Sequence, residues 1–181
     1  MSNPHNKNRY GEIWPQSRIN TSLAELEALK PFVIISGGWA WHFMSPGDHI
    51  EYKHAHDHKD IDLFVPPEEV STVINLLKSR DFEKVWTKYD KLPSKEDFRR
   101  YEKRVECEDK TSVKVTIDFF VSAEVPYQEI AGWKIIEPDF LLGLYNSIHS
   151  SHTCFAVQAA RRLIKQGIDP VARPELVEIP Q

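Results

Sequence analysis

The chain has 181 residues and a net charge of −4. Of its residues 41% are hydrophobic, which is enough for one compact domain with a core. This acidic balance argues against a protein that mainly coats nucleic acid, because neutralising phosphates needs a basic surplus. The first residues are polar and no apolar stretch reaches membrane-spanning length, so we expect a cytoplasmic protein without a membrane partner.

The sequence predicts three parts. Residues 1–20 are rich in Asn, Pro and Arg without a period, which indicates an N-terminal arm. Residues 21–169 carry all the strong helix and strand signals and form the predicted domain. Residues 170–181 contain repeated prolines and predict an irregular tail.

The first half of the domain alternates predicted helices and strands around a glycine pair. Thr21-Ser22 is a candidate N-cap for a helix that ends at Pro31, and the apolar run 32–35 predicts a buried strand. Gly37-Gly38 ends this strand and precedes a short predicted helix over 39–44. After these come a polar, histidine-rich loop over 48–59, a strand over 61–65 and a helix that begins near Pro66.

The second half is richer in strands. Strands are predicted over 82–89, 101–107 and 113–121, and a short edge strand over 130–136. One helix is predicted to begin at Pro138, and a second to span 154–166. The strand over 113–121 alternates most clearly, with its apolar residues on one face and Thr116 and Asp118 on the other. Together these elements predict an α+β fold, with a mixed central sheet flanked by helices and with C-terminal helices.

Three acids in strand segments indicate a metal site. Asp60 and Asp62 are two residues apart, so both side chains leave the same face of a strand. Hard carboxylate oxygens select Mg²⁺ or Mn²⁺ and leave room for phosphates, although a solvated strand edge is the simpler alternative. Asp118 favours the interpretation as a metal site, because it interrupts the most hydrophobic strand, where burying an unpaired carboxylate costs free energy. We predict Asp60, Asp62 and Asp118 as metal ligands and catalytic residues.

The glycine pair is a candidate phosphate seat. Gly37 and Gly38 follow a strand and precede a helix, where backbone can approach an anion closely and amide groups are available. Ser36 either donates to a phosphate oxygen or caps the helix. Trp39 and Trp41 are expected to pack the helix onto the sheet rather than line a base pocket.

The histidine run allows more than one interpretation. His58 is a candidate hydrogen-bond partner for a metal-ligating aspartate, which places it among the predicted nucleotide-site residues. The alternating His54, His56 and His58 could instead hold zinc, or titrate in a solvated loop without consequence. We expect no structural zinc.

Basic residues before Asp118 are candidates for triphosphate contacts, because guanidinium groups match phosphate oxygens. Arg100 and Arg104 are the predicted contacts on the strand that precedes Asp118. Arg161, Arg162 and Lys165 offer a second set on the last predicted helix. In each case an ordinary solvated face is the alternative.

Together these residues resemble the DNA polymerase β-like nucleotidyltransferase superfamily, whose pattern is a Gly-Gly or Gly-Ser, an Asp-x-Asp strand and a third Asp. The sequences of these motifs are most similar to those of the aminoglycoside and lincosamide nucleotidyltransferase branch. The matching stretches, within a resemblance that spans about 23–167, are Gly37-Gly38-Trp39-Ala40, His58-Lys59-Asp60-Ile61-Asp62 and Pro138-Asp139-Phe140-Leu141-Leu142. The final helix lacks the Lys-Asp pair that antibiotic-modifying relatives often carry.

The resemblance implies a polymerase β-like fold and an enzyme that transfers a nucleoside monophosphate from an NTP such as ATP to an acceptor hydroxyl, releasing pyrophosphate. Asp60 and Asp62 would hold Mg²⁺ against the triphosphate, and Asp118 would help to hold a second ion and activate the acceptor. An acidic chain favours a small cationic or neutral acceptor over nucleic acid. The alternatives are a toxin-like or regulatory transferase acting on RNA or protein, and a non-catalytic binding module that retains the fold.

Overall fold

The structure is a computed structural model that describes residues 14–44, 58–91 and 98–147. Its helices are α1 (Gln16–Leu26), α2 (Gly37–Met44), α3 (Val70–Ser79) and α4 (Pro138–Ser147). Its strands are β1 (Ile34–Ile35), β2 (Ile61–Val65), β3 (Glu83–Val85), β4 (Phe98–Glu106), β5 (Ser112–Val121), β6 (Tyr127–Ile130) and β7 (Trp133–Ile136). Short 3₁₀ turns follow α1, precede α3 and follow β3.

The strands form a single seven-stranded sheet in the order β3-β4-β5-β2-β1-β7-β6. β2 runs parallel to β5 and β1 runs parallel to β7, while the other neighbouring strands are antiparallel. The predicted mixed sheet flanked by helices is therefore confirmed. The predicted helix over 154–166 and the tail over 170–181 lie outside the described residues.

Much of the core lies on the face of the sheet that carries Leu63 and Phe119. Leu63 of β2 and Phe119 of β5 are opposite each other in the strand pairing and are both fully buried. α1 packs against β5 on this side, and its Leu26 is also fully buried. Full burial of one such side chain contributes about 1.5–3 kcal/mol to folding. Because side chains alternate along a strand, Asp62 and Asp118 are directed to the opposite face.

The first helix begins earlier than predicted. The sequence places its N-cap at Thr21-Ser22, but α1 starts at Gln16, after Pro15 at the N-cap position. Ile19 is fully buried and Trp14 is 7% exposed, so this stretch packs into the core. Residues 16–20, which the sequence places in the arm, thus continue the helix, because Ile19 and Leu26 share its buried face.

Two strand predictions also need correction. The single edge strand predicted over 130–136 is a hairpin of β6 and β7, joined at Ala131 and Gly132, whose φ angles are 52° and 77°. Two successive positive φ angles characterise the tight turns that connect paired strands. β7 is also not an edge strand, since it pairs with β1.

β4 is the second correction, since it begins at Phe98, three residues before the predicted start at Tyr101. Arg99 and Arg100 therefore lie within β4, outside the bounds of 101–107 predicted for this strand. In the part of the chain that the structure covers, no helix is both long and apolar enough to cross a bilayer.

Candidate active site

The predicted acids meet on one face of the sheet, opposite the face that carries Leu63 and Phe119. Asp62 of β2 and Asp118 of β5 are direct partners in the parallel pairing of these strands, whose backbones run about 4.8 Å apart. On the other side of Asp118, its antiparallel partner is Arg100 of β4. Side chains of directly paired residues share a face, so Arg100, Asp118 and Asp62 form a row across three strands. We call this the acid row.

Asp118 is buried and is held by Arg100 through two hydrogen bonds. Arg100 Nε donates to Oδ1 at 2.6 Å, and Nη2 donates to Oδ2 at 2.5 Å. Burial raises the pKa of Asp118, and the bonds from Arg100 oppose this rise by stabilising the carboxylate. The same hydrogen bonds raise the pKa of Arg100, so its guanidinium is a fixed positive charge in the row.

Asp60 immediately precedes β2 and lies close to the acid row. Its Oδ2 lies 3.5 Å from Arg100 Nη2, and both side chains are 31% exposed. The guanidinium therefore contacts two of the three predicted acids, while the third, Asp62, is paired with Asp118 in the sheet. The structure thus brings Asp60, Asp62 and Asp118 together, with a cation compensating their repulsion.

Gly37 lies against the acid row. It has a φ of 60°, and a Cβ built on it would overlap Oδ2 of Asp62 and lie 3.1 Å from Cγ of the same carboxyl group. Only glycine combines this left-handed backbone with such close approach. The first residue of α2 thereby fixes where the Asp62 carboxylate lies.

The remaining predicted phosphate-site residues are placed by the backbone around Gly37. Ser36 N donates to the carbonyl oxygen of Asp62 at 2.8 Å, and the Ser36 carbonyl accepts from Ala40 N at 3.2 Å. Ser36 is buried, and Gly38 lies in the first turn of α2. The start of α2, where backbone N–H groups lack helical partners, is thereby tied to the strand that carries Asp62.

His58 lies in a buried aromatic cluster beside the site. Its Nε2 is 3.1 Å from Nδ1 of His42, its ring stacks on Trp14 with centroids 5.7 Å apart, and Trp39 meets it edge-on at 4.8 Å. Sequence reasoning missed His42, since nothing in the pattern of α2 distinguishes it from a core residue. The expected core role of Trp39 and Trp41 is confirmed, because both are fully buried. His54 and His56 lie outside the described residues.

Arg104 is separated from the acid row. It pairs with Lys114, four cross-strand pairs beyond Arg100 and Asp118, which places it about 13 Å along β4 from Arg100. It borders an open groove of about 420 Å³ whose lining includes none of the three acids. The groove is lined by Asp81, Glu83, Glu102, Lys103, Arg104 and Lys114. The predicted contact between Arg104 and the nucleotide therefore stays a prediction. Arg161, Arg162 and Lys165 lie outside the described residues.

An aromatic row next to the acids was also missed. Phe120 pairs with Phe98 on one side and with Phe64 on the other, with ring centroids 5.3 Å and 5.8 Å apart. Each of the three residues lies two positions from a member of the acid row on its own strand. The signal was present in the sequence, because alternation places Phe120 on the same face as Asp118.

The residues of the acid row have the chemistry of a divalent cation site. Their donors are carboxylate oxygens, which suit Mg²⁺ and Mn²⁺, and the guanidinium of Arg100 already shows that this space attracts a cation. Among residues 14–44, 58–91 and 98–147, no group of three or more His, Cys, Asp or Glu is arranged to hold a metal ion.

Comparison with known proteins adds structural neighbours but no sequence relatives. No family model and no curated protein sequence matches the chain. Solved structures similar to it include JHP933 from Helicobacter pylori (13% identity, TM-score 0.47, 80% of this chain) and the Megavirus polyadenylate synthase (12%, 0.43, 89%). A third is ANT(2")-Ia in complex with adenylyl-2"-tobramycin (16%, 0.38, 87% of each chain).

The chain is shorter than two of these proteins. It spans 57% of JHP933 and 34% of the polyadenylate synthase. Two of the three names mention an adenylyl or polyadenylate group.

Proposed function

We propose that this chain is a metal-dependent nucleotidyltransferase that moves a nucleoside monophosphate from an NTP to a hydroxyl group and releases pyrophosphate. One observation carries the proposal: Asp62 and Asp118 are paired side by side, and Gly37 at the start of α2 lies against Asp62. Carboxylates for a divalent cation and helix N–H groups for phosphates therefore lie within one small region, which phosphoryl transfer requires.

Each residue of the site has a role in this proposal. Asp60, Asp62 and Asp118 would hold Mg²⁺, which would supply charge neutralisation for the triphosphate and for the acceptor oxygen. The backbone from Ser36 to Gly38 seats the phosphates, because this segment begins a helix and Gly37 allows close approach. Asp118 is also the candidate general base, since burial raises its pKa toward the range in which a carboxylate accepts a proton more readily.

The proposed acceptor is a small hydroxylated molecule. The chain is mildly acidic, and Asp60 and Asp62 are both partly exposed at the site, so the local field repels a polyanion and favours a neutral or cationic compound. The same chemistry acting on RNA or protein is the second candidate, and the identity of the labelled product separates the two.

The test is transfer of label in a cell extract. Wild-type protein is incubated with each α-labelled NTP and Mg²⁺, beside Asp62→Asn and a matched control, Asp81→Asn, which removes the same charge at an exposed position. We expect wild type and Asp81→Asn to label a small molecule, and Asp62→Asn to label at least 100-fold less while melting as a folded protein. Labelled tRNA or a labelled polypeptide would instead support the second acceptor class. Nucleotide binding without any transfer would identify a non-catalytic module.

A further inference from the structure

The guanidinium of Arg100 lies where the proposed cation would have to bind. It takes both oxygens of Asp118, at 2.6 Å and 2.5 Å, and reaches to 3.5 Å from Oδ2 of Asp60. Two of the three proposed metal ligands therefore share one positively charged partner within the protein itself. The planar fork of an arginine matches a carboxylate in this two-bond geometry better than lysine would.

This position of Arg100 is set by the sheet rather than by chance orientation of a surface side chain. Arg100 and Asp118 are direct partners in a nine-residue strand pairing between β4 and β5, so their backbones stay in register. Asp118 is buried, with a side chain 7% exposed, whereas the side chain of Arg100 is 31% exposed. Of the two partners, the arginine is the one with open space into which it can move.

A divalent cation and this guanidinium compete for the same carboxylates. Mg²⁺ binds its oxygen ligands at about 2.0–2.1 Å, and each oxygen of Asp118 already accepts one N–H hydrogen bond from Arg100. Two cations only a few ångströms apart also repel each other strongly in a partly buried site. Loading the metal therefore favours the release of Asp118 by Arg100.

We propose that Arg100 competes with the divalent cation for Asp118 and Asp60, and that the displaced guanidinium then binds the triphosphate. This inference rests on the proposed function, since it concerns the same metal and nucleotide. Arg100 is accordingly a positioning residue that holds the acids together before the cation arrives. Metal and nucleotide binding become mutually reinforcing, because the metal frees a phosphate-binding group and the phosphate keeps that group away from Asp118.

The first test measures Mn²⁺ alone, by electron paramagnetic resonance of the free ion. Arg100→Gln removes the competing charge, and we expect it to bind Mn²⁺ at least tenfold more tightly than wild type. Arg100→Lys, which keeps the charge but loses the two-bond geometry, should lie between them and also serves if Arg100→Gln folds poorly. Arg99→Gln is the matched control, because its charge change is identical and its side chain is on the opposite face; we expect it within twofold of wild type.

The second test measures the coupling with a non-hydrolysable NTP analogue. In wild type we expect Mn²⁺ to raise the affinity for the analogue several-fold more than it does in Arg100→Gln, which has no guanidinium to release. Equal coupling in the two proteins, or Mn²⁺ affinity in Arg100→Gln that is the same as or weaker than in wild type, would overturn the inference.

The result also separates this inference from the proposed function. If Asp118→Asn loses Mn²⁺ while Arg100→Gln binds it as wild type does, the carboxylate site stands and the competition is refuted. If no variant binds Mn²⁺, Arg100→Gln included, both the competition and the metal-dependent function are refuted.

Discussion

Gly37 is the residue whose replacement most directly tests the geometry of the site. An alanine Cβ there would overlap Oδ2 of Asp62 and would also adopt an unfavourable φ of 60°. We expect Gly37→Ala to lower the free energy of unfolding by about 1–3 kcal/mol, measured in urea. Gly143→Ala is the control, because a Cβ there meets nothing within 4 Å inside α4, and it should stabilise by about 0.5–1 kcal/mol. Equal stabilities of Gly37→Ala and wild type would contradict this placement of Asp62.

Asp118 shows how a single contact changes an expectation drawn from the sequence. Three acids alone would repel one another, so replacing one should leave stability unchanged or raised. The structure pairs Asp118 with Arg100, and Asp118→Asn loses the ionic part of that pair. We expect a loss of about 1–2 kcal/mol in the free energy of unfolding at pH 7, limited because Arg100 can reach water. Asp60→Asn, at a half-buried position where the longer ion pair with Arg100 still reaches water, should change it by about 0.5 kcal/mol or less. An Asp118→Asn variant more stable than wild type would refute the pairing.

α1 is the element that tests how far the folded domain extends toward the N-terminus. Ile19 is fully buried and lies in a stretch that composition alone assigns to the arm. We expect Ile19→Ala to lower the free energy of unfolding by about 2–4 kcal/mol, because it leaves a cavity in a packed core. Asn20→Ala, next in sequence and exposed, should change it by about 0.5 kcal/mol or less. If Ile19→Ala and Asn20→Ala changed the free energy of unfolding equally, residues 16–20 would belong to the arm and not to the folded domain.

Elements with a strong period were predicted well, and those that depend on distant partners were not. The alternation over 113–121 gave β5 almost to the residue, because its pattern is local. The start of β4 was missed, since the charged residues Arg99 and Arg100 become strand only through pairing with β5. The β6–β7 hairpin was missed because Ala131 is an unusual residue for a positive φ, so the turn had no clear signal.

At the scale of the whole molecule, the sequence predicted the mixed sheet and the presence of three acids, but not their mutual arrangement. Which face each acid takes follows from alternation along its own strand. Strand order and register do not follow from this local alternation. They place Asp62 beside Asp118, and Arg100 between Asp118 and Asp60. The role predicted for Arg100, a phosphate contact, therefore omitted its bond to the carboxylates.

The claim that these acids form one cation-dependent nucleotide site is tested most directly by calorimetric titration with a non-hydrolysable NTP analogue, with and without Mg²⁺. The titration compares wild type, Asp60→Asn, and Asp81→Asn as the matched control of equal charge change. We expect wild type and Asp81→Asn to bind the analogue only with Mg²⁺, and Asp60→Asn to lose at least tenfold in affinity while keeping its melting temperature. Equal, Mg²⁺-independent binding by all three proteins would contradict the account.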